Sequence, residues 1–240
     1  MYSQNYPVRS IADAAPDTRA QFIRRTYAHL AGAILAFIAL ESVLLSLQPV
    51  RDLGYKLLNS GAGWLLVLGG FMLIGWVARS FAANTASKSA QYMGLGLYIV
   101  AEAIIFVPLL LLAQWKAGQM AGTDQNALIA QAGIVTLLLV AGLTATVFIT
   151  RKDFSFMRSM LMVGSFVALG LIVAGAFFGL NLGLWFSAGM VLLAAGAILY
   201  TTSNIMLHYG EDQYVSASLE LFAAVALLFW YVLRIFMSRR

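Results

Sequence analysis

The run that decides the fold is Ser159–Gly210, SMLMVGSFVALGLIVAGAFFGLNLGLWFSAGMVLLAAGAILYTTSNIMLHYG, 52 consecutive residues without Lys, Arg, Asp or Glu. As one helix it would extend about 78 Å at about 1.5 Å per residue, more than twice a hydrocarbon core of about 30 Å. It must therefore fold back once. The break falls at Gly179-Leu180-Asn181-Leu182-Gly183, which predicts helices over about 159–178 and 184–206.

The rest of the chain repeats this pattern. Charged side chains at mid-bilayer cost several kcal/mol, and a lipid-exposed backbone must satisfy its own hydrogen bonds, so charge-free runs bound the spans. They predict a first helix at about 27–49, ended by Pro49, and a second between Lys56 and Arg79 with Trp64 and Trp76 near its ends. A third runs from Ser89 to Gln114, a fourth from Gln125 to Thr150 and a last from about 214 to 236. The 240 residues are 61% hydrophobic and 10% charged, with mean hydropathy +0.84; a soluble domain carries roughly 25% charged residues. The expected class is an all-α integral membrane protein, a bundle of seven transmembrane helices over 27–240, preceded by a polar cytoplasmic tail over 1–26. No room remains for a separate soluble domain.

Zero cysteines exclude a disulfide framework and thiolate chemistry. In such a chain the net charge of +5 reads as orientation rather than as a nucleic-acid surface. No charged leader with a short apolar core and cleavage site opens the sequence, so a signal peptide is not expected. With the N-terminus inside, nine basic residues fall inside (Arg9, Arg19, Arg24, Arg25, Arg79, Lys88, Arg151, Lys152 and Arg158) and six outside (Arg51, Lys56, Lys116, Arg234, Arg239 and Arg240). That favours a cytoplasmic N-terminus in a bacterial inner membrane. The basic C-terminus is then either outside against the local rule, or one segment is re-entrant. Packing is expected to rest on small residues: the Gly175/Gly179 GxxxG pair, and Gly142, Ala145, Gly189 and Ala194–Ala197.

Intramembrane carboxylates are the sharpest functional signal, because each must be protonated, paired or wetted. Glu102 lies mid-way along the third span, six residues before Pro108; Glu220 is about two turns into the last; Glu41, in the last third of the first, reads as a structural acid near the headgroups. Glu102 and Glu220 are read either as cavity acids or as hydrogen-bonded helix ties. Thr201, Asn204 and His208 stand at i, i+3 and i+7, one helix face able to line a polar cavity or to bond between helices. An enzyme is not expected. The chain lacks HExxH and GxSxG, has only His29 and His208 for any triad, and carries its six aspartates (13, 17, 52, 124, 153 and 212) outside the apolar runs. No cofactor or metal site is read.

Two segments carry a resemblance. Gly142-Leu-Thr-Ala-Thr-Val-Phe-Ile-Thr-Arg-Lys-Asp-Phe-Ser155 resembles the end of the fourth span and the following loop of the Bax inhibitor-1/YccA family, also called the transmembrane Bax inhibitor motif family. The C-terminal third resembles the same family's signature in three pieces, Ile198–Ile205, Gly210–Val215 and Ala217–Phe222, with the Ser-Asn-Ile and Gly-Glu pieces closer to the bacterial YccA type. The resemblance implies a seven-helix bundle with the last helix central. For several members it implies a calcium leak gated by pH through two hydrogen-bonded aspartates. Those positions match Thr201 and Ala224 here, neither of which titrates, so the aspartate pair does not carry over. Glu220 lies four residues before Ala224, on the same helix face, and is the candidate replacement. YccA-type members are instead associated with modulating the membrane-anchored, ATP-dependent protease FtsH, where the polar tail matters. Residues 1–26, with Pro7, Pro16 and little apolar periodicity, read as a disordered tail of that kind.

Two readings follow. One is a pH-sensitive cation or calcium leak with Glu102 and Glu220 as cavity acids and Thr201, Asn204 and His208 as polar lining. The other is a regulator of membrane-protein quality control that binds an FtsH-type protease.

Overall fold

The computed structural model describes residues 10–58, 60–84, 87–120, 122–180 and 182–238, with the side chains of 61–64 and 66 set aside. The first nine residues, Asn181, Arg239, Arg240 and the side chain of Trp64 therefore lie outside what is described. Among the described residues there are eight α-helices and no strand: α1 (Pro16–Ser46), α2 (Gln48–Leu58), α3 (Gly61–Ala82), α4 (Lys88–Gly118), α5 (Ala127–Thr150), α6 (Met157–Phe178), α7 (Gly183–Leu207) and α8 (Tyr214–Ser238). Six of them, α1 and α4 to α8, are long and apolar enough to cross a membrane; in α3 the described apolar stretch is Val67–Ala82.

The long charge-free run breaks where its glycines stand. α6 ends at Phe178 because Gly179 takes a left-handed φ of 68°, and α7 restarts at Gly183, φ 52°, a backbone region that glycine enters without steric cost.

Two boundaries differ from expectation. Pro49 does not end the first helix; α1 stops at Ser46 and Pro49 stands in the first turn of the additional helix α2, where its missing N–H costs nothing. α1 itself starts at Pro16, not near residue 27. Phe22, Thr26, Leu30, Ala33, Phe37 and Glu41 form one buried stripe, so the charged residues between 17 and 25 occupy the opposite face of a helix rather than a disordered tail. Residues 10–14 are also tied down. Ser10 Oγ donates to the Leu207 carbonyl at 2.6 Å, the Ile11 N–H donates to the Tyr209 carbonyl at 2.8 Å, and Arg19 donates to the carbonyls of Ile11 and Ala12.

α4 and α8 form the centre. α8 packs against α1, α3, α4, α5 and α7, and α4 against α1, α2, α3, α5 and α8, so the last helix shares its central position with the helix that carries Glu102. Phe106 of α4 is the hub of an aromatic spine, with ring centroids 5.1 Å from Phe37, 5.7 Å from Phe229 and 4.9 Å from Trp230. In lipid such packing, rather than water exclusion, holds helices together.

Small residues contribute differently from the expected pattern. A Cβ on Gly94 would stand 2.4 Å from the Ala78 carbonyl oxygen, and one on Gly196 2.9 Å from Met157; these are the close approaches of α4 on α3 and α7 on α6. The Gly175/Gly179 pair does not join two helices. Gly175 faces the turn that follows its own helix, at Leu180 and Leu182, and Gly179 is the helix terminus. Gly142, Ala145 and Gly189 are exposed.

The turns gather at two ends. Lys88 pairs with Asp212 at 3.3 Å, the Phe154 N–H donates to Ser203 Oγ at 3.0 Å, and Ser10 meets Gly210, so the N-terminal segment and the α3–α4, α5–α6 and α7–α8 turns share one end. Lys116 Nζ donates to the Met237 carbonyl at 2.8 Å, which puts the end of α8 at the other.

Candidate functional site

The backbone of α6 lies close to α3 and α7 alone among the described helices, and a single described residue of it, Ala168, is buried. Between it and the α4–α8 centre lies a cavity of about 1190 Å³ walled by α3, α4, α6, α7 and α8. Its wall is mostly apolar. The charged side chains on it are Arg79, Glu102, Glu220 and Arg234.

Three of these gather toward the end of the bundle that holds the N-terminal segment. Arg79 is the last charge of α3; its guanidinium stacks over the Tyr98 ring at 5.6 Å. Tyr98 lies one turn before Glu102 on α4, and its hydroxyl interacts with both Arg79 and Glu102. Glu220, in the second turn of α8, faces Arg79 and the phenol of Tyr209. Burial first, then the adjacent Glu220 carboxylate, pushes that phenol above the ordinary range. Glu102 is 6% exposed, Glu220 is half-buried, and Arg79 keeps an open face toward the cavity. Neither acid forms an ion pair within 4 Å; among the described residues Lys88–Asp212 is the pair that does. The cluster is therefore a guanidinium and two carboxylates held apart around open space and linked through phenols. With both acids ionised its formal charge is −1; with both protonated it is +1.

The polar run 200–204 is split among three directions. Tyr200 and Thr201 reach the cavity wall. Thr202 turns to Tyr27 of α1. Ser203 receives the Phe154 N–H and donates to the Lys152 carbonyl at 3.4 Å, anchoring the α5–α6 turn, where Arg151 is left-handed at φ 52°. In that turn Ser155 donates to Asp153 Oδ1 from its hydroxyl at 2.5 Å and its N–H at 2.8 Å, which holds the Asp153 carboxyl below the usual range.

Of the residues read as lining, Glu102, Glu220 and Thr201 stand on the wall, and Ala224 does too. Asn204 and His208 are not among the wall residues; the main-chain carbonyl of Asn204 accepts the N–H groups of His208 and Tyr209 at the end of α7, and His208 is an exposed C-cap beyond the helix. Glu41 is not near a headgroup-like exterior; it is 5% exposed and neither carboxylate oxygen has a hydrogen-bond partner. Arg79 and Tyr98 are not among the site residues expected from the sequence. Tyr98 was within reach of the sequence, since it shares a helix face with Glu102 at i and i+4; Arg79 was taken only as the charge that ends a span. No trio of His, Asp or Glu side chains able to hold a metal gathers among the described residues.

An all-α, multi-pass membrane bundle with a charged cavity behind its loosest helix is the class that these features define. The chain belongs to the Bax inhibitor-1 family: the family model described as inhibitor of apoptosis-promoting Bax1 matches residues 19–240. It is 40% identical over 112 residues to the Pseudomonas aeruginosa protein PA2604, covering 46% of this chain and 50% of that one. It is 42% identical over 101 residues to YccA of Escherichia coli, covering 42% and 46%; YccA is named a modulator of FtsH protease in strain K12 and an inner membrane protein in strain O6:H1. The matches thus span about half the length of these first relatives. Protein LIFEGUARD 4 of Arabidopsis thaliana is 26% identical over 227 residues, covering 92% of this chain and 86% of that protein.

Proposed function

We propose that this protein is a pH-sensitive cation leak, with calcium as the ion to test first, whose selectivity and gating reside in the Arg79, Glu102 and Glu220 cluster. The observation that carries the reading is that cluster itself: two carboxylates and one guanidinium facing open space between apolar helices, an arrangement too costly in lipid to keep without a use. Protonation moves its formal charge from −1 to +1, so cation passage rises with pH as the acids ionise. Glu220 takes the part that the family pattern gives to the position of Ala224, one helical turn away.

In this reading all seven long helices cross the bilayer, α3 included, since 22 residues extend about 33 Å. The end that holds Arg19, Arg24, Arg25, Arg79, Lys88, Arg151, Lys152 and Arg158 faces the cytoplasm, against Arg51, Lys56, Lys116 and Arg234 at the other, in a bacterial inner membrane. The C-terminus is then external.

The test is calcium uptake by proteoliposomes across about pH 5 to 8, the range in which perturbed carboxylates titrate. Uptake above that of empty liposomes, rising with pH, is expected. None at any pH overturns the leak. A second reading, supported by what YccA is named for, is a modulator that binds an FtsH-type protease through the N-terminal segment; co-purification with such a protease that is lost when residues 1–9 are removed, in a protein without flux, is its signature.

A further inference from the structure

The charged cluster occupies only one end of the cavity. The remainder runs toward the other end, between α6 and the α4–α8 centre, and its wall is built mostly of leucine, phenylalanine, methionine and tryptophan side chains, with Ser165 and Arg234 among them. At a water's liquid share of about 30 Å³, 1190 Å³ corresponds to on the order of 40 waters. The apolar part offers these few polar partners, and apolar cavities do not hold water without them.

The same space is open to the outer apolar surface. Met72 of α3, Met162 and Phe166 of α6, Leu58 of α2 and Leu180 of the α6–α7 turn belong to the wall and are also 40% to 69% exposed, so the wall is continuous with the face that meets lipid. The backbone of α6 does not come close to that of α4 or α8. Small side chains, Ser165, Ala168 and Ala176, line its cavity side, and where helices pack in membranes such residues normally meet a partner helix. Here Ala168 is buried in a small cluster with Met190 of α7 and Tyr231 of α8, while Ser165 and Ala176 face space.

We propose that the apolar part of this cavity is a binding site for one phospholipid acyl chain, which enters sideways between α3 and α6 and lies against Trp230 of α8. The chain supplies the packing that α6 lacks, and its occupancy sets how far the charged cluster is open toward the opposite end. The binding site itself does not depend on whether the cavity conducts.

The test uses Trp230 as the sensor. In a full-length variant with the other four of the five tryptophans replaced by phenylalanine, fluorescence is compared in vesicles of phosphatidylcholine with plain and with dibrominated acyl chains. Trp76, 70% exposed on α3, retained alone in a second variant, gives the response of a lipid-facing ring. Quenching of Trp230 comparable to that of Trp76, removed by Ser165→Phe with Ala176→Phe while Trp76 is unaffected, is expected. Trp230 fluorescence that is equal in the two lipids overturns the site. If the single-tryptophan variants do not fold, native mass spectrometry of the wild-type protein decides. One phospholipid retained after detergent exchange, and lost in Ala176→Phe, supports the site; equal retention by both proteins, or by neither, overturns it.

Discussion

Arg79→Met is expected to destabilise the protein by about 1–3 kcal/mol. Removing one partner of a fully buried ion pair costs about 3–5 kcal/mol, because the other charge is left uncompensated. The smaller figure applies here because Arg79 keeps an open face toward the cavity, where water screens it, and because it faces Glu102 and Glu220 without an ion pair within 4 Å. Thermal unfolding in detergent measures the loss. Adding Glu102→Gln to Arg79→Met should return part of the lost stability, because the carboxyl group that faces the lost guanidinium is then removed as well. A double variant that is less stable by the sum of the two single losses would mean that Arg79 serves Tyr98 alone.

Phe106→Ala should cost about 3–5 kcal/mol, the range for emptying a buried aromatic site. Phe106 is 1% exposed and meets Phe37, Phe229 and Trp230 from two other helices, so its loss opens the junction of α1, α4 and α8 at once. Ile149→Ala, at a residue 81% exposed on α5, should stay within about 0.5 kcal/mol. Equal losses in the two variants would remove the aromatic spine from this account.

Much of the architecture is legible in the sequence because charge placement in membrane helices is governed by large energies. The turn at Gly179–Gly183 and the spans carrying Glu102 and Glu220 all follow from where charges are absent. What escapes is local or tertiary. Pro49 both follows one helix and begins the next, and pattern alone reads it as a stop. Pro16 starts α1 eleven residues early because an amphipathic extension spaces Phe22, Thr26 and Leu30 at four-residue intervals among charges. His208 fails as lining because α7 ends at Leu207, so a face drawn beyond that point has no helix to carry it, and Asn204, still inside α7, is not among the residues of the cavity wall. Arg79 is hidden by the rule that found the spans, since a charge at the end of an apolar run is read as a boundary, whereas its side chain turns inward to Tyr98. The cavity itself has no sequence signature; it exists because α6 rests on α3 and α7 alone.

The central claim is that the two cavity acids draw cations through the bundle. At contact a carboxylate attracts a unit charge by about 4 kcal/mol at an effective dielectric constant near 20, and about 1.4 kcal/mol is already tenfold in rate. The most direct measurement is calcium uptake at about pH 8 by proteoliposomes of the wild type and of the double variant Glu102→Gln, Glu220→Gln, with folding of both verified by thermal unfolding. The account predicts that uptake in the double variant falls on the order of tenfold or more, toward that of empty liposomes. Wild-type uptake in a folded double variant would contradict it.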